Sequence, residues 1–332
     1  MEQAKSSAKG VLSLAKERSL VTAMDITRGY RKVPLKVRLR RSLPIYVLLL
    51  PGVVLLFLFH YLPIFGIVIA FQDFSPFRGV FRSEWVGLEH FAYFLTNDSF
   101  WTVMRNTVVI NFYKLLFGFP FPIFFALVLN ELWSNRLKKV VQTISYLPHF
   151  ISWVVVASIV TTLLSPSDGL LNAIIRAFGG EEIYFLANAR YFRSIIVISG
   201  IWKGFGMSSV YYVAALSSID SQLYEAASID GADRLQQVWH ITLPGLRNII
   251  IVLLVLDIGG IMSIGFDQIF LLYNPTVYSV GDVISTYTYR MGIENSQHSL
   301  TSAIGLSQSA VNFVLVYGAN LLSRKVAGWS LW

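Results

Sequence analysis

Residues Asp220 to Pro244 read Asp-Ser-Gln-Leu-Tyr-Glu-Ala-Ala-Ser-Ile-Asp-Gly-Ala-Asp-Arg-Leu-Gln-Gln-Val-Trp-His-Ile-Thr-Leu-Pro. They form a polar island between two apolar blocks, with Asp220, Glu225, Asp230, Asp233 and Arg234 inside it. Each such charge costs roughly 2.5–3.5 kcal/mol at the centre of a bilayer, so the stretch belongs in water. Its spacing predicts two short helices with a sharp joint. Asp220 or Ser221 caps the first, a side-chain oxygen taking one of the orphan N–H groups. Glu225, Ala226 and Ala227 suit a helix, and Gly231 supplies the left-handed residue that ends one cheaply. The second helix carries Leu235, Val238, Trp239 and Thr242 on one side. Pro244 suits the start of a further helix better than its interior. Ala226 and Ala227 offer a small, flat surface that another protein can approach closely.

The apolar blocks on either side recur along the chain, which has 332 residues, 55% of them hydrophobic and 14% charged. A membrane-spanning helix needs about 20 mostly apolar residues. On that basis six spans are expected, near 44–71, 105–129, 143–164, 194–217, 246–270 and 301–323. The expected fold is all-α and polytopic, with the loop 218–245 inside a membrane domain covering 42–332. There is no cysteine, which excludes disulfides and cysteine-bound metals. The chain holds 27 basic and 19 acidic residues, of which 11 and 3 lie in residues 1–41; the rest is balanced at 16 and 16. The basic excess is therefore a property of a tail, and no nucleic-acid partner is expected. That tail, ending Lys36-Val37-Arg38-Leu39-Arg40-Arg41, fits a solvated cytoplasmic segment that sets orientation, with attraction to anionic lipid headgroups as the sharper alternative. A cleaved leader is not expected, because the basic region is too long and no Ala-x-Ala-like site follows. Arg136, Lys138 and Lys139 after the second span, and Arg324 and Lys325 after the sixth, mark inside loops. Six spans put both termini in the cytoplasm.

The 220–244 stretch resembles the EAA motif of ATP-binding-cassette importer permeases. Tyr224 leads into Glu225-Ala226-Ala227, then Asp230-Gly231-Ala232, then Ile241-Thr242-Leu243-Pro244. Trp239 stands where the family often has phenylalanine, and Ser221 where it often has proline. A second, less specific likeness is Trp85-Val86-Gly87-Leu88-Glu89-His90-Phe91, followed by Asn106-Thr107. Together with Tyr61-Leu62-Pro63 and the short outer loops, these elements look most like the permeases for complex saccharides, among them lipopolysaccharide-like, aldouronate and alginate oligosaccharide systems. The resemblance implies a type I importer permease fold in a bacterial cytoplasmic (inner) membrane. It also implies a second homologous permease, two ATPase subunits, an extracytoplasmic solute-binding protein and a saccharide substrate. Tyr224, Glu225, Ala226, Ala227, Asp230, Gly231, Ala232, Leu243 and Pro244 would then couple ATP-driven closure of the ATPase pair to alternating access.

Enzyme chemistry has no site to stand on. No Gly-x-x-x-x-Gly-Lys phosphate loop, His-Glu-x-x-His zinc helix or Gly-x-Ser-x-Gly elbow occurs, and the five histidines are scattered. No cofactor is expected in this chain; ATP and Mg belong to the partner ATPase subunits. Ionisable residues at membrane depth are functional candidates. Here they are His60, Lys114, Lys203, Asp257 and Asp267. His60, Lys114 and Asp267 are read as lying near span ends, in reach of headgroups or water. Lys203, between Trp202 and Gly204-Phe205-Gly206, either lines a cavity or packs on another subunit. Asp257, beside Gly259 and Gly260, faces a cavity or a partner helix. Sugar rings stack on aromatic faces, which makes Tyr113, Trp202, Tyr211, Tyr212 and Tyr273 candidates for the substrate path with Asp257 and Asp267. The same residue types also form interfacial belts in any membrane protein. Two other classes stay open on the residues alone: an ion-coupled secondary transporter, and a non-transporting scaffold or sensor.

Overall fold

The computed structural model describes residues 35–263 and 265–328. The expected tail over 1–41 lies outside these up to residue 34; from Leu35 the chain is helical, and the helix runs to Leu56 through Pro44 and Pro51. The chain divides into two units, 1–65 and 66–332. In the first, the stretch from Leu43 onward is apolar and open to its surroundings, with Leu48 83% exposed and, in the π turn Phe57–Tyr61, Phe59 70%, as expected of a surface that faces lipid.

Four stretches among the described residues are long and apolar enough to cross a membrane: Ser42–Phe71, Asp98–Asn130, Arg234–Gly259 and His298–Lys325. A fifth is a bent pair, Asn135–Phe150 and Trp153–Leu163, meeting at 99°. The expected span near 143–164 is therefore broken by this bend. The helix Ala189–Leu216 occupies the expected fourth span. At 28 residues it reaches about 42 Å, but Arg190, Arg193 and Lys203 dilute its apolarity, and it is not among the four.

The bend has a local cause and a distant one. Pro148 cannot extend the hydrogen-bond ladder, and Ser152 restarts it by accepting from the Val155 N–H at 3.4 Å. Across the fold, the Lys203 ammonium donates to the carbonyls of Pro148 (3.2 Å), His149 (2.9 Å) and Ile151. A cation at a helix C-terminus meets both the orphan carbonyls and the helix dipole. Lys203 also lies 5.5 Å from the Trp153 ring centre. These contacts are with this chain's own carbonyls and ring, a role that neither reading of its sequence context named. Lys203→Met should leave those carbonyls without a donor, at about 1–3 kcal/mol. The expected result is a melting temperature lower by about 2–10 °C for the purified chain in detergent, with partial recovery in Lys203→Arg. An unchanged melting temperature would remove the cap from this account.

The expected fifth span, 246–270, is also interrupted. Its helix ends at Gly259, and a separate helix covers Phe266–Leu272. Irregular backbone at membrane depth is tolerated where protein groups satisfy it. Here Asn111 Nδ2 donates to the Ile261 carbonyl at 2.6 Å, and Gln308 Nε2 to that of Met262 at 2.5 Å. Pro244, expected to open a new helix, instead lies inside one that runs from Arg234 to Gly259. The helix absorbs it by widening to a π turn over Val238–Thr242. The same device precedes Pro63, after the π turn Phe57–Tyr61, and Pro120, after Lys114–Gly118. In all three the proline stands two residues beyond the turn. Proline lacks the N–H and crowds the carbonyl four residues back; one extra residue per turn relieves both.

In the second unit three buried clusters hold the helices together. One joins Phe94, Phe100, Ile284, Tyr287, Leu300 and Ile304. Another joins Ile110, Phe192, Ile196, Ile269, Leu272 and Val277. The third, beside the polar loop, joins Ala126, Tyr212, Leu216 and Leu246. A two-stranded antiparallel ribbon pairs Gln72 with Trp85 and Asp73 with Glu84.

The segment 273–297 is pinned near the N-terminal end of Ala189–Leu216 by polar contacts. Asn106 Nδ2 donates to the Asp282 carbonyl at 3.1 Å, and its Oδ1 accepts from Arg193 Nη2 at 2.8 Å. The Ile284 N–H donates to Thr107 Oγ1 at 2.9 Å. Arg290 pairs with Asp282. Burial works against the Arg290 charge, but hydrogen bonding and attraction to Asp282 outweigh it and hold the guanidinium above its ordinary value. The Asn106-Thr107 pair thus ties this segment to the helix Asp98–Tyr113.

Candidate coupling loop and central cavity

The polar loop is built as two rigid corners. Asp220 accepts from the Gln222 N–H at 2.9 Å and caps the helix Ser221–Ile229. That helix ends at Gly231, which has φ +81°. The Gly231 N–H donates to the Ser228 carbonyl at 3.2 Å and the Ala232 N–H to that of Ala227 at 2.9 Å, the two bonds of a Schellman turn. Two residues on, Asp233 opens the next helix with a reciprocal capping box. Gln236 N–H donates to Asp233 Oδ1 at 2.7 Å, and the Asp233 N–H to Gln236 Oε1 at 2.8 Å. Side chains brace the corner: Gln237 Nε2 donates to Ser228 Oγ at 3.0 Å, and Tyr224 Oη lies 3.0 Å from Thr242 Oγ1. Arg234 pairs with Glu131 at 3.2 Å, which fixes the loop against the end of Asp98–Asn130.

This corner presents large apolar side chains outward among polar ones. Ile229 is 86% exposed, Leu235 67% and Trp239 63%; Glu225, Ala226 and Asp230 are exposed beside them. The face predicted to carry Leu235, Val238, Trp239 and Thr242 together is divided. Leu235 and Trp239 point out, Val238 is half-buried and Thr242 is buried. Leu243 is half-buried and Pro244 exposed. Nearby, Trp133 is 91% exposed in the turn after Asn130.

The candidate substrate-path residues do not converge as a set. Tyr211, Tyr212 and Asp257 line a cavity of about 400 Å³ together with Asn111, Lys114, Ser208 and Ser263. Tyr212 is otherwise part of the buried cluster beside the loop. Trp202 belongs to a different, apolar cleft with Ile159, Leu163 and Ile198. Tyr113 lies against Phe112 and Phe117, outside the residues lining the cavity. Asp267 is exposed in the first turn of Phe266–Leu272, where the helix dipole favours a carboxylate. Tyr273 stacks on Tyr278 at 5.0 Å. Burial, with a hydrogen bond to Tyr278, pushes its phenol up to about 12, so it stays protonated at neutral pH.

Lys114 overturns its expected place near a span end. It lies well inside the helix Asp98–Asn130, and its ammonium donates to Gln268 Oε1 at 2.7 Å. Gln268, Asn111, Ser208 and Ser263 were not anticipated. They are uncharged polar residues inside apolar runs, and a search confined to charges and aromatics passes over them.

Apolar helices with broken spans, a polar cavity among them and a doubly capped polar loop define a polytopic helical permease of the type I importer class. The chain belongs to the binding-protein-dependent transport system inner membrane component family, which matches residues 118–328. It is 45% identical over 300 residues to the polygalacturonan/rhamnogalacturonan transport system permease protein YteP of Bacillus subtilis, covering 90% of this chain and 94% of that one. Among solved structures, it matches a chain of a bacterial ABC transporter involved in the import of the acidic polysaccharide alginate. The TM-score there is 0.81 at 41% identity, over 89% of this chain and 99% of that one. A structure of a bacterial alginate ABC transporter in complex with an alginate pentasaccharide-bound periplasmic protein matches with TM-score 0.81 and 40% identity, over 90% of this chain and all of that one. The chain is thus the permease component of an ATP-binding-cassette importer, in a family of transport permeases rather than of catalytic enzymes.

Proposed function

We propose that the chain forms half of a translocation path for an oligo- or polysaccharide and that the loop 218–245 docks on an ATPase subunit. The observation that carries the docking reading is the exposed apolar trio Ile229, Leu235 and Trp239 on a rigid, water-adapted corner. Large apolar residues exposed on both sides of a capped joint suit a protein contact, and rigidity lets the corner transmit movement. The saccharide class is supported by the relatives' polygalacturonan, rhamnogalacturonan and alginate systems. The partners are a second permease, two ATPases that bind ATP and Mg, and an extracytoplasmic binding protein that delivers the substrate. ATP closes the ATPase pair, the docked loops move with it, the path opens outward, and hydrolysis resets it.

Six spans with both termini in the cytoplasm suit this assembly. The sixth is supplied by Ala189–Leu216, whose length suffices to cross. Orientation is supported by Arg136, Lys138 and Lys139, which follow the turn whose Glu131 meets Arg234 of the loop. These basic residues and the coupling loop lie at one end, and basic loops favour the cytoplasmic side of a bacterial cytoplasmic membrane.

Substituting Ile229 and Trp239 together by aspartate should strip the ATPase from the solubilised transporter. Loss of two apolar anchors at a contact costs about 2 kcal/mol or more each. The measurement is the ATPase recovered with tagged permease, alongside ATP-driven saccharide uptake in vesicles. Full recovery of the ATPase with normal uptake would refute the docking assignment.

A further inference from the structure

The most unusual charge in the second unit is Lys114. It stands inside a membrane span, where an ammonium is expensive unless something anionic or strongly polar receives it. Arg176–Glu182, Arg234–Glu131 and Arg290–Asp282 are ion pairs among the described residues; Lys114 is in none of them. Its partner is a neutral amide, Gln268 Oε1 at 2.7 Å.

That amide is held in one orientation. Gln268 is buried, 1% exposed. Its Nε2 donates to the Ile196 carbonyl at 2.6 Å and to Ser199 Oγ at 3.0 Å. Ser199 Oγ in turn donates to the Ile195 carbonyl at 2.6 Å. With both amide hydrogens spent, only the oxygen is left to face Lys114. An ammonium has three donors, and Gln268 takes one.

Lys114 lines the 400 Å³ cavity described above and also an adjoining one of about 250 Å³ that Gln268 lines. The larger cavity further offers Tyr211, Asn111, Ser208, Ser263 and Asp257, a mix of ring faces, donors and acceptors suited to a sugar's C–H faces and hydroxyls. The carboxylate there, Asp257, forms no ion pair with Lys114 and suits hydroxyl donors.

We propose that Lys114, aimed by Gln268, is the residue that selects acidic sugars in the path: its free ammonium hydrogens receive the carboxylate of a uronate unit as the chain passes. The inference rests on the saccharide-import reading and goes further, naming the charge class and the residue. A charge-assisted hydrogen bond gives about 1.5–3 kcal/mol, which corresponds to about 10- to 100-fold in discrimination.

The test uses the complete transporter, with its second permease, ATPases and binding protein, in proteoliposomes. Uptake of trigalacturonate is compared with uptake of its carboxyl-reduced, neutral counterpart. One binding protein serves every variant, so its own preference cancels when ratios are compared. Wild type is expected to favour the acid, Lys114→Gln to lose that ratio by about 10- to 100-fold, and Lys114→Arg to retain most of it. An equal ratio in wild type and Lys114→Gln would overturn the proposal. So would a Lys114→Arg transporter that assembles but has lost the preference, a readout that stands even where Lys114→Gln fails to assemble. A wild type that takes up only the neutral trisaccharide would overturn the charge selection and leave the importer reading intact. ATP-dependent uptake of neither trisaccharide would overturn both.

Discussion

Gly231→Pro is expected to abolish ATP-driven uptake while the chain still inserts and accumulates in the membrane. The native φ of +81° is closed to proline, whose ring holds φ near −65°. Proline would also remove the N–H that donates to the Ser228 carbonyl. The Schellman turn would open, and with it the fixed angle between Ser221–Ile229 and the helix from Arg234. Ile229 and Trp239 lie on opposite sides of this joint, so their relative placement would be lost. The space around Gly231 is open, with no neighbour within 4 Å of an added Cβ. Any defect therefore comes from backbone conformation rather than a clash. Gly231→Asn, which tolerates the left-handed region, should keep most uptake, and Gly231→Ala should fall between, at a cost of about 1–2 kcal/mol. Uptake in vesicles is to be normalised to permease abundance on a membrane immunoblot. Normal uptake by the proline variant would mean that the joint does not couple the two machines.

The loop was legible because its determinants are local. Asp220 caps two residues on, Gly231 ends the helix it follows, and Asp233 and Gln236 satisfy each other across one turn. Neighbours in sequence carry such signals, so a reader of the sequence finds them. The helix joints were less legible. Pro148 hints at the bend, but Lys203, which stabilises it, is more than fifty positions away. The break after Gly259 depends on Asn111 and Gln308 receiving the freed carbonyls, and no periodicity in 246–270 records them. Pro244 misled in the opposite direction: a proline that usually starts or kinks a helix is absorbed by a π turn, which hydropathy does not register. Of the residues singled out by type, Tyr211, Tyr212 and Asp257 line the cavity, whereas Trp202 lines another cleft and Tyr113 lies against Phe117. Residue type alone does not record helix rotation, which decides which members of a type reach one cavity.

Gly206→Ala should destabilise the chain, although alanine normally favours a helix by about 0.5–1 kcal/mol over glycine. Gly206 lies where Ala189–Leu216 crosses Asn135–Phe150, and a Cβ there would stand 2.0 Å from the Ser145 carbonyl oxygen and 3.1 Å from the Tyr146 nitrogen. These are backbone atoms of a helix, so no side chain can swing aside. The two helices must separate, and with them the contact that lets Lys203 reach the carbonyls of Pro148 and His149. Overpacking of this kind costs about 1–3 kcal/mol, which corresponds to a melting temperature lower by about 2–10 °C. Gly204 in the same helix is the internal control. A Cβ there meets nothing within 4 Å, so Gly204→Ala should be neutral or stabilising by the ordinary helix preference. The two variants add the same methyl group to one helix two positions apart, so propensity cancels between them and only the close approach differs. Thermal unfolding of both purified variants in one detergent decides the matter. Equal melting temperatures would show that the two helices can part at this crossing without cost, and that the bent span is not held by its fit against Gly206.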